Sequence, residues 1–332
     1  MSTQSIPSSL NTPISVLKQR IQDGDCELRV LKGEFLSDNR CTIGHVNKLI
    51  ASHGNGEIII WENEQIAKRF NIGCHVPLRG MRMAAFQDRL FIAPDKTPAP
   101  SNTIVVLDLK TGKEIKSFQV LANQIHCLCT LNDRLYLGCN EDTIMVRDVN
   151  TLEPYPSLKS KDGMKAATCL YGVENTLCSG HESGKIQEWN LASAVDPKVY
   201  QLHNVAVSRI IKSENKLVSA AINGEIVVID SQKPELSYTL PPGKKPMFDS
   251  VLSIATFSGL LLSSNAQDTV KVRDLNTGKD IIDYTLSKPS QQLKLPVVSM
   301  IMKSNGVLYA TYQDDIHVCD FNMPSRLPKE KN

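Results

Sequence analysis

The residues best equipped for chemistry cluster at His126, Cys127 and Cys129. A zinc ion needs three or four nitrogen and sulfur ligands converging on one point. If this segment is a strand, Cys127 and Cys129 point to one face and His126 to the other, so the three cannot close on one ion. No Cys-x-x-Cys occurs anywhere in the chain, and neither a metal nor a cofactor is expected. Nucleophilic catalysis fares no better. Ser179 and Ser263 end apolar runs, where small side chains suit crowded corners, and no Gly-x-Ser-x-Gly elbow is present. Gly54-Asn55-Gly56 and Gly243-Lys244-Lys245 read as turns without the strand-to-helix setting of a phosphate loop. No catalytic residue is assigned, and the protein is expected not to be an enzyme.

The composition supports a large packed core: 332 residues, 41% hydrophobic and 22% charged. With 37 basic against 35 acidic residues there is no strong field, so nucleic acid and anionic membrane are not expected as partners. Nine cysteines without paired spacing, several inside apolar runs, read as reduced core thiols of a cytoplasmic protein. The N-terminus lacks the unbroken apolar run of a signal peptide, and no stretch approaches the length of a membrane-spanning helix.

The elements that would position a site are repeats. Residues 260–280, LLLSSNAQDTVKVRDLNTGKD, spell an apolar strand, a turn, an alternating strand and a second turn. Copies are anchored on a residue pair ending the third strand of each unit: Trp61-Glu62, Leu107-Asp108, Arg147-Asp148, Trp189-Asn190, Ile229-Asp230, Arg273-Asp274 and Cys319-Asp320. The anchors recur every 40 to 46 residues, the period of four-stranded propeller blades. Twelve positions before an anchor an apolar residue opens the second strand in five copies: Leu49, Leu135, Leu177, Leu217 and Leu261. A fourth, more polar strand follows each second turn, as at Lys113 to Val120 and Asp280 to Leu286. Insertions at 94–102 and 287–296 read as loops.

With these anchors the chain resembles the WD-repeat family of β-propellers over about residues 26 to 321. Only Trp61 and Trp189 supply the anchor tryptophan, and neither is followed by aspartate. Gly44-His45 and Gly180-His181 do not stand at the family's Gly-His position. The buried His-Ser-Trp-Asp hydrogen-bond tetrad of typical members is therefore expected to be mostly missing. The expected fold is all-β, a seven-bladed propeller of four-stranded antiparallel blades. After Cys319-Asp320 only a Pro-containing tail remains, so the solitary strand at 26–32 is expected to complete the last blade and close the ring. Residues 1–25 are then a flexible lead-in with a helical turn or two near Val16 to Ile21, and 322–332 a C-terminal tail.

The resemblance implies a binding face made of the turns between second and third strands and the connections entering each first strand. Counting from the anchors places His53, Asn140, Glu141, His181, Glu182, Gln267 and Asp268 in the first set, and Arg79, Arg82, His126 and Lys165 in or beside the second. The expected function is a monomeric, non-enzymatic protein–protein interaction scaffold or adaptor for peptide or protein partners. Its alternatives are a substrate-recognition subunit of a ubiquitin-ligase-type assembly and a channel-site enzyme.

Overall fold

The computed structural model describes residues 12–23, 26–31, 39–53, 55–72, 81–94, 102–121, 124–140, 142–160, 164–193, 195–241, 250–265, 269–285, 297–312 and 315–322. After helix α1 (Ile14–Asp23) and strand β1 (Glu27–Leu31), six blades follow in chain order. The first is β2 (Asn39–His45), β3 (Lys48–His53), β4 (Glu57–Glu62) and β5 (Gln65–Asn71). The second is β6 (Met81–Phe86), β7 (Arg89–Pro94), β8 (Thr103–Asp108) and β9 (Glu114–Gln119). The third is β10 (Ile125–Leu131), β11 (Arg134–Cys139), β12 (Thr143–Asp148) and β13 (Pro154–Lys159). The fourth is β14 (Ala167–Val173), β15 (Thr176–His181), β16 (Lys185–Asn190) and β17 (Lys198–Gln201). The fifth is β18 (Val207–Ser213), β19 (Lys216–Ala221), β20 (Ile226–Asp230) and β21 (Tyr238–Leu240). The sixth is β22 (Val251–Phe257), β23 (Leu260–Asn265), β24 (Thr269–Asp274) and β25 (Asp280–Thr285). In the seventh, β26 (Ser299–Met302), β27 (Val307–Thr311) and β28 (Ile316–Asp320) are completed by β1. All seven sheets are antiparallel, and the strands of each blade are denoted a to d from the channel outward.

Burial follows the expected grammar. The b strands are almost wholly buried and the d strands β9 and β13 are mostly exposed. The apolar residue twelve positions before an anchor is the anchor's cross-strand partner: Leu49 faces Trp61, Leu135 Arg147, Leu177 Trp189, Leu217 Ile229 and Leu261 Arg273. The acidic strand end has a physical reason. Its carboxylate accepts the backbone N–H groups of the next turn, from Lys110 and Thr111 to Asp108, Asn150 and Thr151 to Asp148, and Asn276 and Thr277 to Asp274. These bonds, led by the Thr111 and Thr151 N–H groups, hold the Asp108 and Asp148 carboxyls below the usual range.

The a strands touch around the channel from blade to blade. Small side chains stitch them together: Cys127 Sγ to the Ala167 carbonyl at 3.4 Å, Thr168 Oγ1 to Val207 at 2.5 Å and Ser208 Oγ to Val251 at 3.2 Å. Ser253 Oγ accepts the Met300 N–H at 2.9 Å, and Ser299 Oγ donates to Thr42 at 3.3 Å, joining the seventh blade to the first. Closure also runs through β1, in register with β28 from Glu27–Asp320 to Leu31–Ile316. Arg29 reaches Glu64 of the first blade at 2.8 Å as well as Asp320 at 3.2 Å, and Leu31 is buried in a cluster with Leu49, Trp61, Tyr309 and Val318.

Residues 14–23 depart from a flexible lead-in. They form a ten-residue helix whose Leu17 and Ile21 are buried in the core of the sixth and seventh blades. Leu17 lies against Gly306 in the a–b turn of the seventh blade, and Arg20 donates to the carbonyls of Phe321 and Asn322. Leu17 and Ile21 are spaced four apart and share one face, so docking converts a marginal helix into a fixed one. Among the described residues, no helix is long and apolar enough to cross a membrane.

Candidate functional site

The b–c turns and d–a connections share one end of the propeller. There the structure brings together two expected residues of the third blade: His126 Nε2 contacts Asn140 Oδ1. His126 is the extra residue of a β-bulge between Ile125 and Cys127, and such bulges re-aim a side chain at a strand end. Next to it in the fourth blade, Lys165 is exposed with a φ of +57°, and the Glu182 N–H is bound to the Ala166 carbonyl at 3.0 Å. Glu182 and Asn140 are exposed, and Arg82 is half-buried near the start of its a strand. Arg79, Glu141, Gln267 and Asp268 lie outside the described residues.

Two expected contact residues are corrected. His53 and His181 are the last residues of β3 and β15 and are fully buried, because the b strands run one residue further than the turn counting placed them. His181 is a structural relay. Trp189 Nε1 donates to Ser179 Oγ at 3.2 Å, the Ser179 hydroxyl lies 2.9 Å from His181 Nε2, and His181 Nδ1 donates to the Lys165 carbonyl at 3.0 Å. Burial pushes the His181 pKa down, which favours the neutral ring that this chain of donors requires. The relay thereby anchors the backbone of Lys165 to the core.

The tetrad expected to be mostly missing survives in altered form in the next blade. His203, in the d–a connection, is 2.8 Å from Ser219 Oγ and 2.5 Å from Glu225 in the b–c turn. Glutamate takes the acidic place and Ile229 stands where tryptophan would. His203 is preceded by leucine, so no Gly-His pair marks it. In the sixth blade Arg273 Nη1 donates to Ser263 Oγ at 2.9 Å, the bond that Trp189 makes to Ser179. Serines 179, 219 and 263 therefore serve as hydrogen-bond nodes of the scaffold.

The cysteines pack as core thiols. Cys127 and Cys129 both face β14, against Ala167 and Gly172 respectively. Burial pushes Cys129 and Cys169 up to about 11 and Cys178 to about 12, which suppresses the reactive thiolate at neutral pH. Among the described residues, no group of three or more His, Cys, Asp and Glu is placed to hold a metal.

The opposite end holds two clefts that the turn counting did not reach. One of about 380 Å³, between the first and seventh blades, is lined by Arg29, Trp61, Glu64, Tyr309 and Asp320. The other, about 510 Å³ on the fourth blade, lies among Trp189, Val195, Glu174, Asp196 and Lys198.

No family profile and no curated protein matches the sequence. Solved structures do match in shape. The computationally designed Ika8 protein shares 18% identity at a TM-score of 0.62, over 86% of this chain and 97% of that one. U3-55K and the RRP9 WD40 repeats each share 14% identity at a TM-score of 0.70, over 90% of this chain and 98% and 97% of theirs. These likenesses agree with the fold described above, a seven-bladed propeller of four-stranded antiparallel blades.

Proposed function

We propose that the protein is a non-enzymatic interaction scaffold or adaptor that offers its b–c and d–a end to a peptide or protein partner. The observation that carries this reading is the cluster of His126, Asn140, Lys165 and Glu182 on adjoining blades, each set on backbone fixed by the ladder or by the His181 relay. A rigid frame that projects polar side chains from several loops loses little entropy on binding. At the other end α1 already occupies the junction of the sixth and seventh blades. The serines and thiols that could have suggested catalysis are bound into the frame. Such protonated thiols suit a reducing cytoplasm, where we place the protein.

Affinity capture with the full chain, followed by mass spectrometry, tests the reading. Asn140→Ala combined with Glu182→Ala is expected to lower recovery of a stoichiometric partner by tenfold or more, with roughly 2 kcal/mol lost at each true hot spot. Val195→Ala, on the opposite end, is expected to leave recovery unchanged. Retention by the first variant and loss by the second would move the binding surface to the other end.

A further inference from the structure

The strands that close the ring carry a pair of thiols at their junction. Cys26 immediately precedes β1, and in the β1–β28 ladder Glu27 is opposite Asp320 and Leu28 opposite Cys319. Cys26 therefore stands diagonally across from Cys319, within the reach of side chains on one face of an antiparallel pair. Both pack on the same core: Cys319 is 1% exposed in a cluster with Leu17, Ile21 and Phe321, and Cys26 is half-buried against that cluster. The thiols of Cys26 and Cys319 are hydrogen-bonded to each other, whereas Cys127, Cys129 and Cys169 donate to backbone carbonyls.

The pair divides into a sulfur that meets an oxidant and a sulfur that resolves the product. The bond to Cys26, together with burial, pushes Cys319 well above the usual thiol range, so Cys319 keeps its proton and the half-buried Cys26 is the one a small oxidant can reach. A disulfide needs Cβ atoms about 3.8 Å apart, closer than diagonal neighbours usually sit. Cys26 lies ahead of the first ladder pair, so it can close that distance without breaking β1. A bond between positions 26 and 319 would turn nearly the whole propeller into one covalent loop, where the entropy removed from the unfolded chain is large.

We propose that Cys26 and Cys319 form a reversible disulfide clasp that locks the propeller ring under oxidising conditions, with a low-molecular-weight disulfide as the oxidant. The Cys26 thiolate attacks one sulfur of the small disulfide, whose S–S bond breaks and releases one small thiol. The Cys319 sulfur, on losing its proton, attacks Cys26 of the mixed disulfide and expels the second small thiol. Two protein thiols are oxidised, one small disulfide is reduced, and the two protons end on the released thiols. The reduced ring is held by the β1 ladder and by the Arg29 bridges to Glu64 and Asp320, so β1 can open locally; in the oxidised ring it stays tied. The clasp acts on the frame and does not depend on which end binds a partner.

Mass spectrometry of the full chain tests it, after equilibration with oxidised glutathione, alkylation of the remaining thiols and digestion without reductant. A peptide linking Cys26 to Cys319 is expected in monomeric protein, and dithiothreitol is expected to abolish it. Loop-closure entropy, scaled by the unfolding entropy of a unit of this length, gives an oxidised form that melts roughly 3–8 °C higher than the reduced one. Cys26→Ser is expected to melt like the reduced parent and to gain nothing on oxidation, and Cys26→Ala repeats the comparison should the serine variant fold poorly. Oxidation that stops at a glutathione adduct on Cys26, or that links another pair of cysteines in preference, would overturn the proposal. So would a linked protein that melts like the reduced form, or an equal rise in the Cys26 variants.

Discussion

Helix α1 offers a graded test of how the ring is held. Ile21 is fully buried and Leu17 is 3% exposed, both against the sixth and seventh blades. Truncating a buried leucine or isoleucine to alanine costs about 2–5 kcal/mol, and the lower end applies where neighbours can collapse on the cavity. A peripheral helix can shift, so about 2–3 kcal/mol is expected for Ile21→Ala. Unfolding entropy near 60 °C is about 2.1 cal/mol/K per residue, or about 0.7 kcal/mol/K for a cooperative unit of this length. The expected loss in melting temperature is then about 3–4 °C for Ile21→Ala, and the same order for Leu17→Ala. Because both act through one docked helix, their combined effect should not exceed that of deleting residues 1–25. Differential scanning calorimetry of the two single variants, the double variant and the deletion measures this ceiling. A deletion that melts like the intact chain, or a double variant less stable than the deletion, would refute the docking argument.

Other perturbations probe the binding end. Gly184→Ala should destabilise by roughly 2–5 kcal/mol, since φ is +80° and a Cβ would meet the His203 carbonyl oxygen at 2.0 Å; a melting point within 1 °C or so of the parent by the same scaling would contradict this. Ser179→Ala leaves Trp189 Nε1 and His181 Nε2 without their shared hydroxyl, an expected cost of about 1–3 kcal/mol measurable by urea unfolding. The His181 pKa lies below its unfolded value of about 6.5, so its contribution to stability is present above pH 6.5 and is lost as pH falls below it. Melting temperature should therefore drop between pH 7 and 5, and less so in His181→Gln; equal slopes in both proteins would exclude His181 as the source.

Much of the frame was legible because propeller blades repeat one solution to one problem. Strand period two, turn residues and an acid that caps the c–d turn recur whenever the same hairpins are built, so Leu49, Leu135 and Leu261 could be paired with their anchors by counting. The solitary strand at 26–32 could be assigned to the last blade because an open ring would leave bare edges. Side-chain roles at turns were less legible. A strand end displaced by one residue turns an exposed histidine into a buried one, which is what separates His53 and His181 from Asn140. The α1 helix carried its signal in Leu17 and Ile21, yet its order depends on a docking surface assembled some 240 residues later in the chain, around Leu262 and Val270. His203 lacked the glycine that would have marked it, and only the fold shows it bridging Ser219 and Glu225.

The central claim is that partners engage the end of the propeller built from b–c turns and d–a connections. Hydrogen–deuterium exchange of the protein with and without its captured partner tests this directly. The account expects protection on binding at residues 124–126, 140, 164–166 and 182, with little change in the a–b and c–d turns such as 174–175 and 191–193. Protection confined to those latter turns, or to the cleft around Trp61 and Tyr309, would contradict it.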